Sequence, residues 1–370
     1  MSHQSTIALV TAYSGDKPAG LERFLLQLLR AIDQHDLSRQ LLVYTKKNNG
    51  LERDLRKMGA ASLKVVNVFC GNFWKEFGLF FTPPADSYIF NSPLVPIFFK
   101  PKRYSVIVYD FAYKHFKSSN FKDKLKTLYI DFVSKLAFRR AKLIICISEY
   151  TKNDLIKYFK VDASKIQVVY PGDGCLTKEE PVKPNINLSI ADKFFLYVGT
   201  IKERKNLFGV LSAFAILKKR MSQDIKLVVV GKCQDSSLYA KKLQQLIKQE
   251  NLDDSVIFAG HISDRELIYL YNNTLALVFP SLLEGFGFPL VEAMSRGVPI
   301  VTSENSCLSE ITGEAALLVD PLNYSDIAGA MNKILTDDEK REELKVKGLE
   351  RAKEFTWNKA ADNFYNLVRD

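Results

Sequence analysis

At 370 residues, 47% apolar and 25% charged, the chain has the composition of a soluble globular protein, too hydrophobic for disorder and long enough for two domains. No apolar run approaches the roughly 18 residues that span a bilayer, and the polar start M-S-H-Q carries no signal-peptide core, so a cytoplasmic protein is expected. The net charge of +10 sits in one half: residues 1–185 hold 29 Lys and Arg against 17 Asp and Glu, the remainder 23 against 25, which turns the first half toward an anionic partner such as a membrane surface, a phosphate-bearing acceptor or nucleic acid.

In chain order, the strand candidates of the first half are 6–12, 40–44, 63–68, 87–91, 105–109 and 142–147, short runs rich in β-branched and aromatic residues. Phe24, Leu28 and Ile32 repeat at helical spacing between the first two. Ser148 and Glu149 open a further helix, and capping accounts for them. The charged, proline-bearing stretch 178–185 has linker character, and a second set follows at 193–199, 225–231, 255–260, 275–280, 298–302 and 316–320. Strands alternating with helices predict parallel sheets covered on both faces, here two doubly wound Rossmann-like α/β domains facing each other across a cleft. Three strands of the second set end in glycine, where a phosphate can approach the backbone. Five scattered cysteines (Cys70, Cys146, Cys175, Cys233, Cys307) with no C-x-x-C pair are expected to be reduced, mostly buried thiols.

The most informative stretch is L-A-L-V-F-P-S-L-L-E-G-F-G-F-P-L-V-E-A-M-S-R. It divides into a buried strand, a glycine loop at its carboxyl end and a helix started by Pro289. Glycines keep side chains away from the free N–H groups of a helix start, where an anion is favoured. Glu284 precedes that helix and Glu292 lies within it; carboxylates pair poorly with phosphate but accept two hydrogen bonds from a vicinal diol. A nucleotide diphosphate sugar meets all of these demands, whereas the bland alternative is one capping and one solvated glutamate. A second stretch, V-G-T-I-K-E-R-K-N-L, puts Arg204 and Lys205 between a glycine-ended strand and a helix, without the pattern of a P-loop. The two cations there can neutralise a diphosphate, or can be an ordinary solvated pair.

At these residues the sequence resembles the retaining nucleotide-sugar glycosyltransferases of family 4, which have the GT-B fold. The resemblance extends to A-A-L-L-V-D-P-L, and in the first half to A-K-L-I-I-C-I-S-E-Y-T-K-N-D-L and V-V-Y-P-G. It implies an acceptor-side domain over 1–180, a donor-binding domain over 181–350 and a terminal helix over 351–370 that crosses back to the first domain, with Trp357 as its packing anchor. It further implies Arg204 and Lys205 on the donor phosphates, Glu284 on the transferred sugar, Glu292 on the ribose, and the backbone of Gly285, Phe286, Gly287, Phe288 and Leu290 around sugar and diphosphate. Gly199 and Thr200, at the end of the Y-V-G-T strand, join the donor site, and His261 and Ile262 line the base pocket. In the first domain, Gly20 approaches the donor phosphate or the acceptor, and Asp110 orients the acceptor hydroxyl or merely caps a helix. Many relatives carry a histidine where this chain has Tyr109, which by its place is expected to be a substrate-binding residue.

The family works without a metal or other cofactor. Its reaction is expected to be front-face attack by the acceptor, with the departing phosphate taking the proton and Arg204 and Lys205 stabilising it. Related R-K-N sequences imply GDP-mannose as donor, with a UDP-hexose or UDP-N-acetylhexosamine as the alternative, and a glycan or lipid-linked acceptor in cell-surface polysaccharide or glycolipid synthesis. An inactive donor-binding subunit is the rival from another class. A nucleic-acid partner would explain the basic half but none of the motifs. Segment 114–142 holds nine Lys and Arg against two Asp, and Phe121, Leu125, Tyr129, Phe132 and Leu136 recur at helical spacing. That apolar stripe is expected to pack on the first sheet, leaving a basic face outward, either solvated or attached to an anionic membrane surface.

Overall fold

The computed structural model describes residues 6–13, 20–34, 40–47, 49–69, 71, 74–116, 120–174, 180–189, 191–221, 224–232 and 238–369. Cys70, Cys175 and Cys233 lie outside them, while Cys146 and Cys307 are buried free thiols. Two compact units result: Met1–Gly172 with Trp357–Asp370, and Asp173–Thr356.

Unit 1 is built on β1 (Ile7–Thr11), β2 (Leu41–Lys46), β3 (Lys64–Val68), β4 (Ser87–Phe90), β5 (Tyr104–Val108), β6 (Leu143–Cys146) and β7 (Ile166–Val168), with helices α1 (Gly20–Asp33), α2 (Leu51–Lys57), α3 (Ala112–His115), α4 (Phe121–Arg140) and α5 (Glu149–Phe159). The strands pair in the order β3-β2-β1-β4-β5-β6-β7, parallel throughout. All five residues of β1 are buried, as a central strand covered on both faces requires. Ser148 caps α5 by accepting a hydrogen bond from the Thr151 N–H at 3.1 Å.

One expectation is overturned in α4. The helix buries Val133, Ser134, Ala137 and Phe138, while Phe121, Leu125, Tyr129 and Phe132 of the expected core stripe are exposed and Leu136 is only half-buried. The helix is apolar on two opposite faces, and the face with small residues wins because it permits close approach. Tyr104 of β5 reaches under it to donate to the Ala137 carbonyl at 2.9 Å.

Unit 2 contains β8 (Lys193–Val198), β9 (Ile225–Val230), β10 (Val256–Gly260), β11 (Ala276–Phe279), β12 (Ile300–Ser303) and β13 (Leu317–Val319). Its helices are α6 (Leu207–Arg220), α7 (Leu238–Gln249), α8 (Asp264–Asn273), α9 (Phe288–Met294), α10 (Leu308–Thr312), α11 (Tyr324–Thr336) and α12 (Asp338–Ala352). The strand order β10-β9-β8-β11-β12-β13, again all parallel, is that of a doubly wound dinucleotide-type sheet. Phe195, Tyr197, Val210, Phe214, Leu227 and Val229 centre its core between β8, β9 and α6.

The last helix, α13 (Trp357–Arg369), belongs to unit 1 and packs on α1. Trp357 meets the Phe24 ring edge-on at 5.5 Å, and a Cβ on Gly172 would come within 2.4 Å of the Trp357 backbone nitrogen. The two chain passages between the units therefore run side by side, at 172/173 and 356/357, where the family resemblance implied 180/181 and 350/351.

Candidate active site at the carboxyl ends of the second sheet

In the unit 2 sheet the chain winds outward from β8 through β9 to β10, then returns to the middle and winds the other way from β11. The point of reversal, between β8 and β11, leaves a crevice at the carboxyl ends, where open α/β sheets bind ligands. Both motifs singled out in the sequence leave those two strands.

After β8 the chain passes Gly199 and the exposed Thr200, then forms a short turn over Glu203–Lys205. Asn206 follows in the left-handed region (φ 57°), which asparagine tolerates because its side chain replaces lost backbone bonds. Its amide oxygen accepts from the Gly209 N–H at 3.2 Å and starts α6, while its amide nitrogen donates to the carbonyls of Pro280 (3.0 Å) and Pro321 (2.7 Å). The Arg-Lys turn is thereby fastened to the loop after β11. Leu282 completes the fastening by donating its N–H to the Arg204 carbonyl at 2.8 Å.

The three charged side chains meet in this crevice. Arg204 Nη1 lies 3.0 Å from the Leu283 carbonyl and 3.3 Å from Glu284 Oε2, and Lys205 Nζ lies 2.5 Å from Glu284 Oε1. Lys205 also sits over the Phe279 ring, 4.9 Å from its centre. Glu284 is buried, and the lysine contact is off the direction of a hydrogen bond, so Oε1 has no aligned donor among the described residues. Two cations on one carboxylate leave the cluster with a net positive charge. It can take up an anion, and a hydroxyl can donate to the glutamate.

The glycine loop is set by packing beneath it. Gly287 has φ 98°, and a Cβ there would come within 2.9 Å of Leu308, so only glycine fits this N-cap of α9. Phe286 is buried against Phe288 and Phe355, and Leu290 is buried, so neither side chain is open to a ligand. Gly285 is likewise buried. At seven residues α9 is too short for its dipole alone to carry the anion binding expected of it.

Glu292, on α9, accepts a hydrogen bond from Tyr271 of α8 at 2.9 Å, and a Cβ on Gly174 would fall 1.7 Å from its Oε1. His261 and Ile262 follow β10, two strands from β8 and roughly 10 Å across the same sheet edge; His261 is exposed. Gly231, at the end of β9, has a different reason from the phosphate approach expected of it, since a Cβ there would strike the Gly199 carbonyl oxygen at 1.9 Å.

The remaining candidates are in unit 1. Gly20 is the exposed first residue of α1. Asp110 is exposed and accepts from the Ala112 N–H at 3.0 Å, a capping bond at the start of α3. Tyr109 is buried edge-on to Phe24 at 5.2 Å; its hydroxyl donates to Asn91, which in turn donates to Thr11 at 3.1 Å. Burial pushes that phenol well above its ordinary value, so it is a structural donor at any pH the fold meets.

Residues 18–172 match the family model for Glycosyltransferase Family 4, and residues 179–351 match that for Glycosyl transferases group 1. The chain belongs to glycosyltransferase family 4. Among curated members, O-antigen chain mannosyltransferase B of Escherichia coli is 32% identical over 238 residues, 62% of this chain and 61% of that protein. O-antigen chain mannosyltransferase RfbU of Salmonella typhimurium is 30% identical over 210 residues, 57% and 56% of the two chains. The matched region thus spans less than two thirds of these relatives' lengths. Among solved structures, HepE of Anabaena in complex with UDP and glucose superposes with TM-score 0.77 at 19% identity, covering 98% of this chain and 99% of that one. Sucrose-phosphate synthase of Thermosynechococcus elongatus does so with TM-score 0.75 at 20% identity, covering 99% and 98%. The shared fold is GT-B.

Within this family frame, four residues that sequence reasoning passed over hold the site. Asn206 was legible as the residue after Arg-Lys. Cys307, whose thiol donates toward the carbonyls of Glu284 and Phe286 at 3.2 Å each, carries no signal in the sequence, and neither do Tyr271 or Gly174. Burial, with the Glu284 charge second, pushes the Cys307 thiol well up and keeps it a donor.

Proposed function

We propose that the chain is a retaining, metal-independent glycosyltransferase that moves mannose from GDP-mannose to a glycan or lipid-linked acceptor during cell-surface polysaccharide synthesis, working at the inner face of the cytoplasmic membrane. The observation that carries this reading is the Arg204, Lys205 and Glu284 cluster at the strand-order reversal of unit 2. A diphosphate entering the crevice would take over the two cations, and a sugar hydroxyl would donate to the released carboxylate. Glu292, aligned by Tyr271, suits a ribose diol. The O-antigen mannosyltransferases among the relatives favour mannose, whereas the UDP and glucose bound by HepE keep a UDP-hexose or UDP-N-acetylhexosamine as the second reading.

In the proposed step the bond from sugar C1 to the diphosphate oxygen breaks while the acceptor oxygen bonds to C1 from the same face. The acceptor's proton passes to the departing phosphate oxygen. Arg204 and Lys205 stabilise the charge that grows on that phosphate, and Asp110 keeps its expected role of orienting the acceptor hydroxyl.

The test is to incubate the full chain with GDP-mannose, or with UDP-sugars in parallel, and glycan acceptors, with and without EDTA. Retention of the α-anomer by NMR, unaffected by EDTA, is the expected result. Inversion, a strict metal requirement or binding without turnover would overturn the proposal. Arg204→Lys keeps the charge but loses the planar fork, and is expected to slow turnover at least about tenfold, roughly 1.4 kcal/mol.

A further inference from the structure

The overturned face of α4 is itself informative. Phe121, Leu125, Leu128 and Phe132 are 71%, 52%, 64% and 60% exposed, and their spacing of four, three and four residues sets them in one line along the helix, opposite the buried Val133, Ser134 and Ala137. The line continues at the same spacing into Lys135 and Arg139, and Lys122 and Lys124 flank it, all exposed. Four large apolar side chains aimed at solvent in a row are costly unless something covers them.

A cavity of about 480 Å³ opens at the carboxyl end of this line. Lys135 and Arg139 of α4 line it together with Lys160, Asp162 and Lys165 beyond α5. Asp162 is occupied locally, accepting from the Ser164 N–H at 2.9 Å, and that bond holds its carboxyl below the usual range. Four cations therefore face the cavity against one carboxylate.

We propose that α4 lies in the headgroup layer of an anionic bilayer, with Phe121, Leu125, Leu128 and Phe132 inserted and a lipid phosphate held in the cavity by Lys135, Arg139, Lys160 and Lys165. An apolar line framed by lysines and ending in a basic cavity matches such a surface in both hydrophobicity and charge. A second copy matches it poorly, because two apposed α4 faces would bring their lysines together. The docked helix is tied to the loop that carries Asp110: Asp131 of α4 accepts from Tyr113 at 3.0 Å and pairs with Lys114, both on the α3 turn that Asp110 caps. The inference stands on unit 1 alone and does not depend on the donor.

Flotation of the full chain with vesicles of phosphatidylcholine, alone or with roughly 30% phosphatidylglycerol, tests it without any sugar nucleotide. Binding at least about tenfold greater to the anionic vesicles is expected, with a fraction still bound near 0.5 M salt, because insertion is not screened. The combined substitutions Phe121→Ser, Leu125→Ser, Leu128→Ser and Phe132→Ser are expected to abolish that salt-resistant fraction, and Lys135→Glu with Arg139→Glu to abolish the anionic preference. Both variants should melt where the parent chain does, since no core residue changes. As a readout independent of multiple substitution, Phe132→Trp is expected to show a blue-shifted emission on anionic vesicles. Equal partition onto neutral and anionic vesicles, no binding, a serine variant that binds like the parent, an unshifted tryptophan or a parent dimer that the serine variant loses would each overturn the proposal.

Discussion

Asn206 shows how much one side chain can decide at this site. Its three hydrogen bonds join the Arg-Lys turn, the start of α6 and the loop after β11, and it holds a left-handed backbone that alanine resists. Asn206→Ala is expected to cost about 2–3 kcal/mol in urea unfolding and to weaken nucleotide binding as well; a loss below about 0.5 kcal/mol would show that the turn holds itself. Gly174→Ala forces a Cβ onto the Glu292 carboxylate, so it should impair nucleotide binding more than stability, as parallel titration and melting would show. Arg204 and Lys205 were legible because they follow a glycine-ended strand, and Glu284 and Glu292 because they flank a glycine loop, where charged residues are chemically conspicuous. Tyr271, Gly174 and Cys307 were not, because a buried tyrosine, a loop glycine and a core cysteine look alike in sequence whether or not they touch a candidate site glutamate.

At the scale of elements, every strand expected from a short apolar run is present within a residue or two, because a parallel sheet covered on both faces demands near-continuous runs. The strand without an expectation, β7, is three residues long and contains Gln167, too short for a period. In α4, spacing correctly indicated a helix but not which apolar face is buried, since that depends on the partner's shape. Burial within these elements also fixes the reactivity of the described cysteines. Burial pushes the thiols of Cys146, at the end of β6, and of Cys307, just before α10, upward. Both are expected to remain unmodified by a thiol reagent at pH 8 in the folded chain, which peptide mapping by mass spectrometry would verify. Unfolded thiols ionise near pH 8.5, so the fold keeps their full contribution below that pH and loses it as pH rises further. A falling melting temperature above about pH 9 is the expected signature.

For the whole molecule, the sequence indicated two doubly wound sheets and a helix that returns, while the exact passages depend on a contact no pattern reveals, Gly172 against Trp357. Since Trp357 and α13 belong to unit 1, Trp357→Ala is expected to destabilise that unit by about 3–5 kcal/mol and leave the unit 2 core protected, as hydrogen exchange would resolve. Uniform loss of protection would mean that the two units unfold as one.

The division of labour between the two glutamates is the centre of the proposed chemistry, and titration of GDP and UDP into the parent chain, Glu292→Ala and Glu284→Ala tests it most directly. Glu292→Ala is expected to weaken binding of the preferred nucleotide by roughly 1.5–3 kcal/mol. Glu284→Ala removes the carboxylate that competes for Arg204 and Lys205, so the nucleotide should bind at least as tightly as to the parent while sugar transfer collapses. Equal loss of nucleotide binding in both variants, or no binding by the parent chain, would contradict the account.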